Sequence, residues 1–194
     1  MAPRMTHRAA WLACLLSLLA VDAGRVGAQA AGPAAPVSAG RPVALPYFAS
    51  LKRPVANVRV GPGRDYPIRW VYKKRGLPVE VLASYGNWRR IRASDGSEGW
   101  IAAMLLSSRR TALVAPWSES AVDLRAGRRP TSAVAARLQP RVLVGLQWCD
   151  RMWCSVRVQG QEASGYVRQT RLWGVYPDET IPDRSVWGVM RNML

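Results

Sequence analysis

Histidine is nearly missing from this 194-residue chain, with His7 the only one, and there are just three cysteines, one phenylalanine, and 12 acidic residues against 28 basic ones. Long apolar runs are missing too. The longest covers residues 9–21, about 13 residues where a membrane-spanning helix needs about 20. Arg4 and Arg8 precede that run and Ala28-Gln29-Ala30 follows it as a small-x-small site, so residues 1–30 read as a secretory signal peptide cut between Ala30 and Ala31. His7 leaves with the signal. Without histidine the remaining chain can build no Ser-His-Asp or Cys-His relay and no histidine-containing metal site. No catalytic residue, metal or cofactor is therefore expected. Glu80, Asp95 and Glu98 could in principle do carboxylate chemistry, but Asp95-Gly96 reads as a hairpin turn.

Two cysteines survive cleavage, Cys149 and Cys154. An even pair this close, in an oxidising compartment, is most simply a disulfide, and a metal site would need soft ligands the chain does not offer. The charge survives as well. Removing Arg4, Arg8, Arg25 and Asp22 leaves 28 − 3 = 25 basic and 12 − 1 = 11 acidic residues, a formal balance of +14. Such a chain outside the cytoplasm suits anionic wall polymers, lipid headgroups or acidic proteins. Arginine outnumbers lysine 25 to 3, so part of the charge also reads as compositional bias spread over solvated surface.

Residues 31–46 (AGPAAPVSAGRPVALP) lack periodicity and read as a flexible, semi-extended linker. From Tyr47 the texture becomes short apolar alternations punctuated by Gly, Pro, Asn and Asp, which predicts an all-β fold with strands near 55–60, 69–72, 79–83, 88–92 and 99–101. That texture is duplicated. Asn57-Val58-Arg59-Val60-Gly61 answers to Asp123-Leu124-Arg125-Ala126-Gly127, and Gly99-Trp100-Ile101 to Gly165-Tyr166-Val167, both 66 residues apart. Between them Val79-Glu80-Val81 is matched with Val142-Leu143-Val144, and the Trp88 strand with the Trp153 strand. Two tandem small barrels are expected, over 47–110 and 111–174, with a tail at 175–194 whose Trp187, Met190 and Leu194 could pack across them. Val58, Val60, Val79, Val81, Ile91 and Ile101 form the expected inward face, and Leu105 and Leu106 close one end. Each buried aliphatic contributes about 1.5–3 kcal/mol. Gly61 and Gly63, flanking Pro62, are expected to need unusual φ, and Gly86-Asn87 to turn a hairpin. A barrel of about 60 residues has little surplus stability, so a bond from Cys149 to Cys154, on the order of 2 kcal/mol, is a useful addition to the second copy.

The order of these pieces resembles the bacterial SH3-like (SH3b) family, in its exported two-copy form in proteobacteria. The motifs that carry the resemblance are VANVRVGPGRDYPI, VEVL, NWRRI and EGWI in the first copy, and VDLRAG, VLVGL, WCDRMWCSVRV and SGYV in the second. The second copy departs at residues 128–133, where an Arg-Arg-Pro turn replaces Gly-Pro-Gly. The resemblance implies a ligand groove between the long loop after the first strand and the hairpin before Trp88. That points to Arg59, Arg64, Asp65, Tyr66, Trp70, Tyr85, Trp88 and Arg90: aromatics for flat apolar contact, arginines for carboxylates. Trp100 and Tyr166, each between a glycine and an inward aliphatic, read as packing residues. Lys73-Lys74-Arg75, Arg109-Arg110 and Arg128-Arg129 read as solvated loops.

The resemblance implies a non-catalytic periplasmic or secreted module that recognises peptidoglycan peptides or anionic cell-envelope polymers. The alternative is a scaffold that docks another envelope protein through the same groove. Trp and Arg interleave as nucleic-acid platforms do, but export removes that partner, and no membrane span remains after cleavage.

Overall fold

The structure, a computed structural model, describes residues 44–183. The expected signal peptide, its expected cleavage point at Ala30–Ala31, most of the expected linker, and Trp187, Met190 and Leu194 lie outside the described residues. Strands β1 (Tyr47–Leu51), β2 (Ala56–Arg59), β3 (Ile68–Tyr72), β4 (Pro78–Tyr85), β5 (Trp88–Arg92), β6 (Glu98–Ala102) and β7 (Leu106–Ser107) form one antiparallel sheet in the order β3-β2-β6-β5-β4-β1-β7. The second sheet comprises β8 (Thr111–Val114), β9 (Val122–Arg125), β10 (Val134–Leu138), β11 (Leu143–Asp150), β12 (Trp153–Val158), β13 (Ser164–Arg168) and β14 (Leu172–Trp173). It repeats the order as β10-β9-β13-β12-β11-β8-β14, and β15 (Thr180–Ile181) adds to β11. A single 3-10 turn follows β6 and another follows β13. The expected all-β duplication is thus realised.

Alternation decides which side chains enter the cores. Val58, Val79, Val81, Ile91 and Ile101 are completely buried, and Leu105 and Leu106 pack against them. Val60 does not follow: it is 51% exposed, because a bulge follows Val58 and β2 stops at Arg59, so the alternation ends before reaching it. In the second copy Leu124, Val144, Val156 and Val167 are equally buried.

The strand pairing corrects one link of the repeat. Val81 faces Ile91 just before a bulge in β4, and Leu146 faces Val156 just before the matching bulge in β11. Val79-Glu80-Val81 therefore corresponds to Val144-Gly145-Leu146, not to residues 142–144. A two-residue slip keeps every side chain on its face, so an apolar pattern cannot detect it.

Each sheet curls at a glycine. A Cβ on Gly99 would lie 2.5 Å from Val58 Cγ1 and 3.0 Å from the Arg59 carbonyl oxygen; on Gly165 it would lie 2.6 Å from the Arg125 carbonyl oxygen. β6 and β13 can cross β2 and β9 this closely only without a side chain there. Gly61 and Gly63 differ from expectation in the same sense. Neither has positive φ; a Cβ on Gly61 would sit within 2.4–2.6 Å of the Tyr66 ring, so close approach, not backbone angle, selects glycine. Gly86 does take positive φ (50°), in the two-residue turn that pairs Tyr85 with Trp88. Cys149 and Cys154 are a directly opposed pair on β11 and β12, joined by a disulfide and buried; β15 lies on the other side of Cys149.

The two copies meet at a packed seam. The sole phenylalanine, Phe48, sits 5.1 Å from the Trp173 ring and 4.7 Å from the Tyr176 ring. Thr111 Oγ1 donates to the Gly76 carbonyl at 2.7 Å. Buried Glu80 accepts from Arg92 Nη2 at 2.7 Å and from the Tyr176 hydroxyl at 2.9 Å. Arg110 is no solvated loop residue: it is half-buried, pairs with Glu179 and donates to the Gly174 carbonyl. Buried Gln169 donates to the carbonyls of Tyr176 and Glu179 and so fastens the segment after β14 to the second copy.

Two outcomes follow. Gly165→Ala should destabilise the second copy by about 2 kcal/mol or more in denaturant melts and exceed Gly99→Ala, because its nearest obstacle is backbone and that of Gly99 is a side-chain methyl. The Tyr176 hydroxyl is held above the ordinary tyrosine range, chiefly by removal from water and then by its bond to Glu80. The folded state therefore keeps a proton that the unfolded chain loses near pH 10, and seam stability should be intact below about pH 10 and fall above it. Tyr176→Phe should flatten that alkaline slope in melts run from pH 8 to 11.

Candidate functional site

The crossing at Gly99 fixes what the outer surface of the first sheet presents. With Ile91 and Ile101 directed inward, Arg90 and Trp100 face outward, and pairing sets Arg59, Trp100, Arg90 and Ala83 side by side across β2, β6, β5 and β4. The next row adds Ala102, Trp88 and Tyr85 on the same face. Trp100 is only half-buried, and the row is a strip of arginine, indole, arginine beside half-buried Trp88 and Tyr85, which is 66% exposed.

The cations in this strip are positioned by their own bonds. Arg59 Nη1 donates to the Tyr66 carbonyl at 2.7 Å, tying the long loop to β2. Arg90 pairs with Glu98 at 2.6 Å while its side chain stays half exposed. Arg69 lies 5.9 Å from the Trp70 ring centroid and donates to the Glu98 carbonyl. In the neighbouring turn Asp95 Oδ1 accepts from the Ser97 amide at 2.9 Å, and that bond holds its carboxyl below the usual aspartate range. Asp95 is a turn residue, as its Asp-Gly context predicts.

The expected groove residues therefore divide. Arg59, Arg90, Tyr85 and Trp88 share the outer face. Tyr66 is 47% exposed and rests on Gly61, within the loop that Arg59 holds; Arg64 and Asp65 are exposed in the same loop. Trp70 stands apart. It faces Val58, packs against the first core, reaches Gly99 from inside and meets Tyr72 edge-on at 6.0 Å. The residue that sequence reasoning assigned to packing, Trp100, is the centre of the outer strip instead. Its alternation with Ile101 was the available signal.

The second copy repeats the frame with other chemistry. Arg125 faces Tyr166, which faces Ser155, which faces Trp148. Arg125 Nη1 donates to the Ser132 carbonyl at 2.8 Å, 66 residues on from the Arg59–Tyr66 bond at both ends. Ser132 takes the place of Tyr66, and Arg128 lies 5.3 Å from the Trp148 centroid. Trp153 is buried under Arg168, whose guanidinium is 4.4 Å from its centroid. Among the described residues there is no cluster of potential metal ligands, and no helix is long and apolar enough to cross a membrane.

The profile of the bacterial SH3 domain matches residues 52–108 and again 118–174. The chain belongs to the bacterial SH3 domain family. Both matches begin after the first strand of their sheet, so β1 and β8 lie outside the matched SH3 segments. Among solved structures, the chain is similar to NlpC2 from Trichomonas vaginalis at 11% identity, covering 68% of this chain and 49% of that one with a TM-score of 0.32. NlpC1 from the same organism gives 13%, 70%, 48% and 0.28. An NlpC/P60 family protein from Bacillus cereus ATCC 10987 gives 10%, 65%, 55% and 0.29. The chain spans about half the length of these structures. No curated protein matches it.

The duplicated arginine tie generates a test. Arg125→Ala should cost about 1–2 kcal/mol, since Arg125 is half-buried and also pairs with Asp123 at 2.8 Å, and the more exposed Arg59→Ala should cost less than about 1 kcal/mol. In both, amide exchange should quicken in the loop that the arginine holds, and in that copy alone.

Proposed function

We propose that this protein is a non-catalytic, exported binding module of the cell envelope that takes peptidoglycan peptides or anionic envelope polymers on the outer face of its first SH3 domain. The observation that carries this reading is the strip Arg59–Trp100–Arg90, flanked by Tyr85 and Trp88. A half-buried indole gives flat apolar contact to a peptide or sugar ring, and an arginine on either side can meet a carboxylate in two-point fashion. The remainder of the +14 charge that follows signal cleavage favours encounter with such ligands. The lack of histidine after residue 7 supports a binding role for this chain.

The test is co-sedimentation with isolated cell-wall sacculi across a salt series. Pelleting that persists well above physiological salt, and falls about tenfold in Trp100→Ala and Tyr85→Ala with melting unchanged, is the expected outcome. Pelleting lost as soon as salt is raised would reduce the interaction to charge alone. No pelleting at any salt would favour the scaffold that docks an envelope protein.

A further inference from the structure

The seam carries a second concave surface, away from the aromatic strip. A cleft of about 750 Å³ opens where the loop before β4 meets the turn after β12, and Lys52, Arg75, Arg109 and Arg157 line it against one carboxylate, Glu162. Lys52 and Arg75 come from the first copy, Arg157 from the second, and Arg109 from the connector between them. The cleft exists only because the copies are packed together, with Thr111 bonded to the Gly76 carbonyl and the Gln159 carboxamide 3.2 Å from where a Cβ on Gly76 would lie.

Four cations share this cleft with a single carboxylate. Arg90, Arg92, Arg110, Arg125, Arg128 and Arg137 are all ion-paired elsewhere; among the described residues none of the four cations of the cleft is. Comparison of the two copies shows why one of them has no partner. Glu80 faces Arg92 across β4 and β5 and pairs with it at 2.7 Å; at the corresponding place Gly145 faces Arg157. The second copy keeps the arginine and has no carboxylate opposite it, and Gly145 itself lines the cleft beside Arg157. Like charges converging this way oppose folding unless a ligand anion offsets them.

The rest of the lining specifies the ligand further. Ser50, Ser107, Gln159 and Gln161 contribute hydroxyls and carboxamides, and no aromatic side chain lines the cleft. Donors and acceptors of that kind match sugar hydroxyls, while the guanidinium forks match carboxylate or phosphate. We infer that the seam is a binding site for an anionic oligosaccharide, recognised jointly by Lys52, Arg75, Arg109 and Arg157. It is distinct from the aromatic strip and does not depend on it.

Calorimetric titration of the intact chain separates the possibilities. The probes are an oligogalacturonate for the carboxylate source, a phosphorylated oligomannoside for the phosphate source, and maltohexaose as the neutral control. One saturable site per chain for at least one acidic probe, with maltohexaose at least tenfold weaker, is expected, and the better acidic probe identifies the anion. Arg109→Glu with Arg157→Glu should weaken that binding at least tenfold. Trp100→Ala should leave it unchanged, as should Arg64→Glu with Arg129→Glu, an equal charge change on remote exposed loops. Equal loss in the remote variant, equal binding of maltohexaose, or retention in Arg109→Glu/Arg157→Glu would each overturn the assignment. Loss of sacculus binding in Trp100→Ala with saccharide binding intact would leave the two sites standing separately. Melting of the Arg157→Ser variant, which relieves repulsion without adding a carboxylate, checks that the fold is kept.

Discussion

The close crossing of two strands at a glycine is the constraint on which both sheets depend. At Gly99 and at Gly165 one strand passes so near another that the first atom of any side chain would collide with a neighbouring side chain or carbonyl oxygen. That approach lets a sheet of short strands curl around a core of six buried Val, Leu and Ile side chains in the first copy and ten in the second, since a flat sheet of this length could not bury them. It also dictates the exterior. A glycine facing inward at the crossing puts the next residue, Trp100 or Tyr166, outward between two other strands, and the arginine opposite it, Arg59 or Arg125, then reaches back to hold its own loop. One steric requirement thus yields the core, the aromatic on the outer face and the tether of the long loop, twice in the same chain.

Much of this was legible in the sequence, because period-two alternation and glycine-flanked turns act locally. Val58, Ile91 and Ile101 could be assigned inward from spacing alone, and Gly86-Asn87 reads as a hairpin without further context. The failures have physical causes. Val60 continues an alternation on paper that the bulge and the end of β2 terminate in space. The repeat slipped by two residues at β4 and β11, since the period of a strand makes such a slip invisible. Trp100 read as packing because aromatic residues beside core aliphatics usually pack, whereas parity with Ile101 turns it outward. Trp70 read as a binder but faces Val58, a pairing set by the register of β2 with β3.

The seam was not legible at all, and long-range contacts explain why. Phe48 and Tyr176 are 128 positions apart, and Tyr176 reaches Glu80 across 96 residues. Arg110 looked like loop charge because nothing in its neighbourhood along the chain suggests Glu179, the partner that half-buries it. Burial of Glu80 would be costly without both donors, Arg92 and Tyr176, so the seam is held by groups that need one another. Two small domains with modest individual cores gain an extra layer of packing from this arrangement, to which the rings of Phe48, Trp173 and Tyr176 contribute.

Duplication lets the copies diverge without disturbing the frame. The elements that close each sheet, the glycine crossing and the arginine tether, recur at a constant offset of 66 residues, whereas several side chains around them do not. Tyr66 becomes Ser132 under the tethered loop, Arg90 becomes Ser155 in the outer row, and Glu80 becomes Gly145 beside the retained arginine. The last exchange has the largest electrostatic effect. In the first copy the carboxylate is used within the seam to neutralise Arg92 and to accept from Tyr176; a second carboxylate at residue 145 would have neutralised Arg157 in the same way. Glycine at that place leaves space and unneutralised charge at the same point, and the two together favour an anion between the copies.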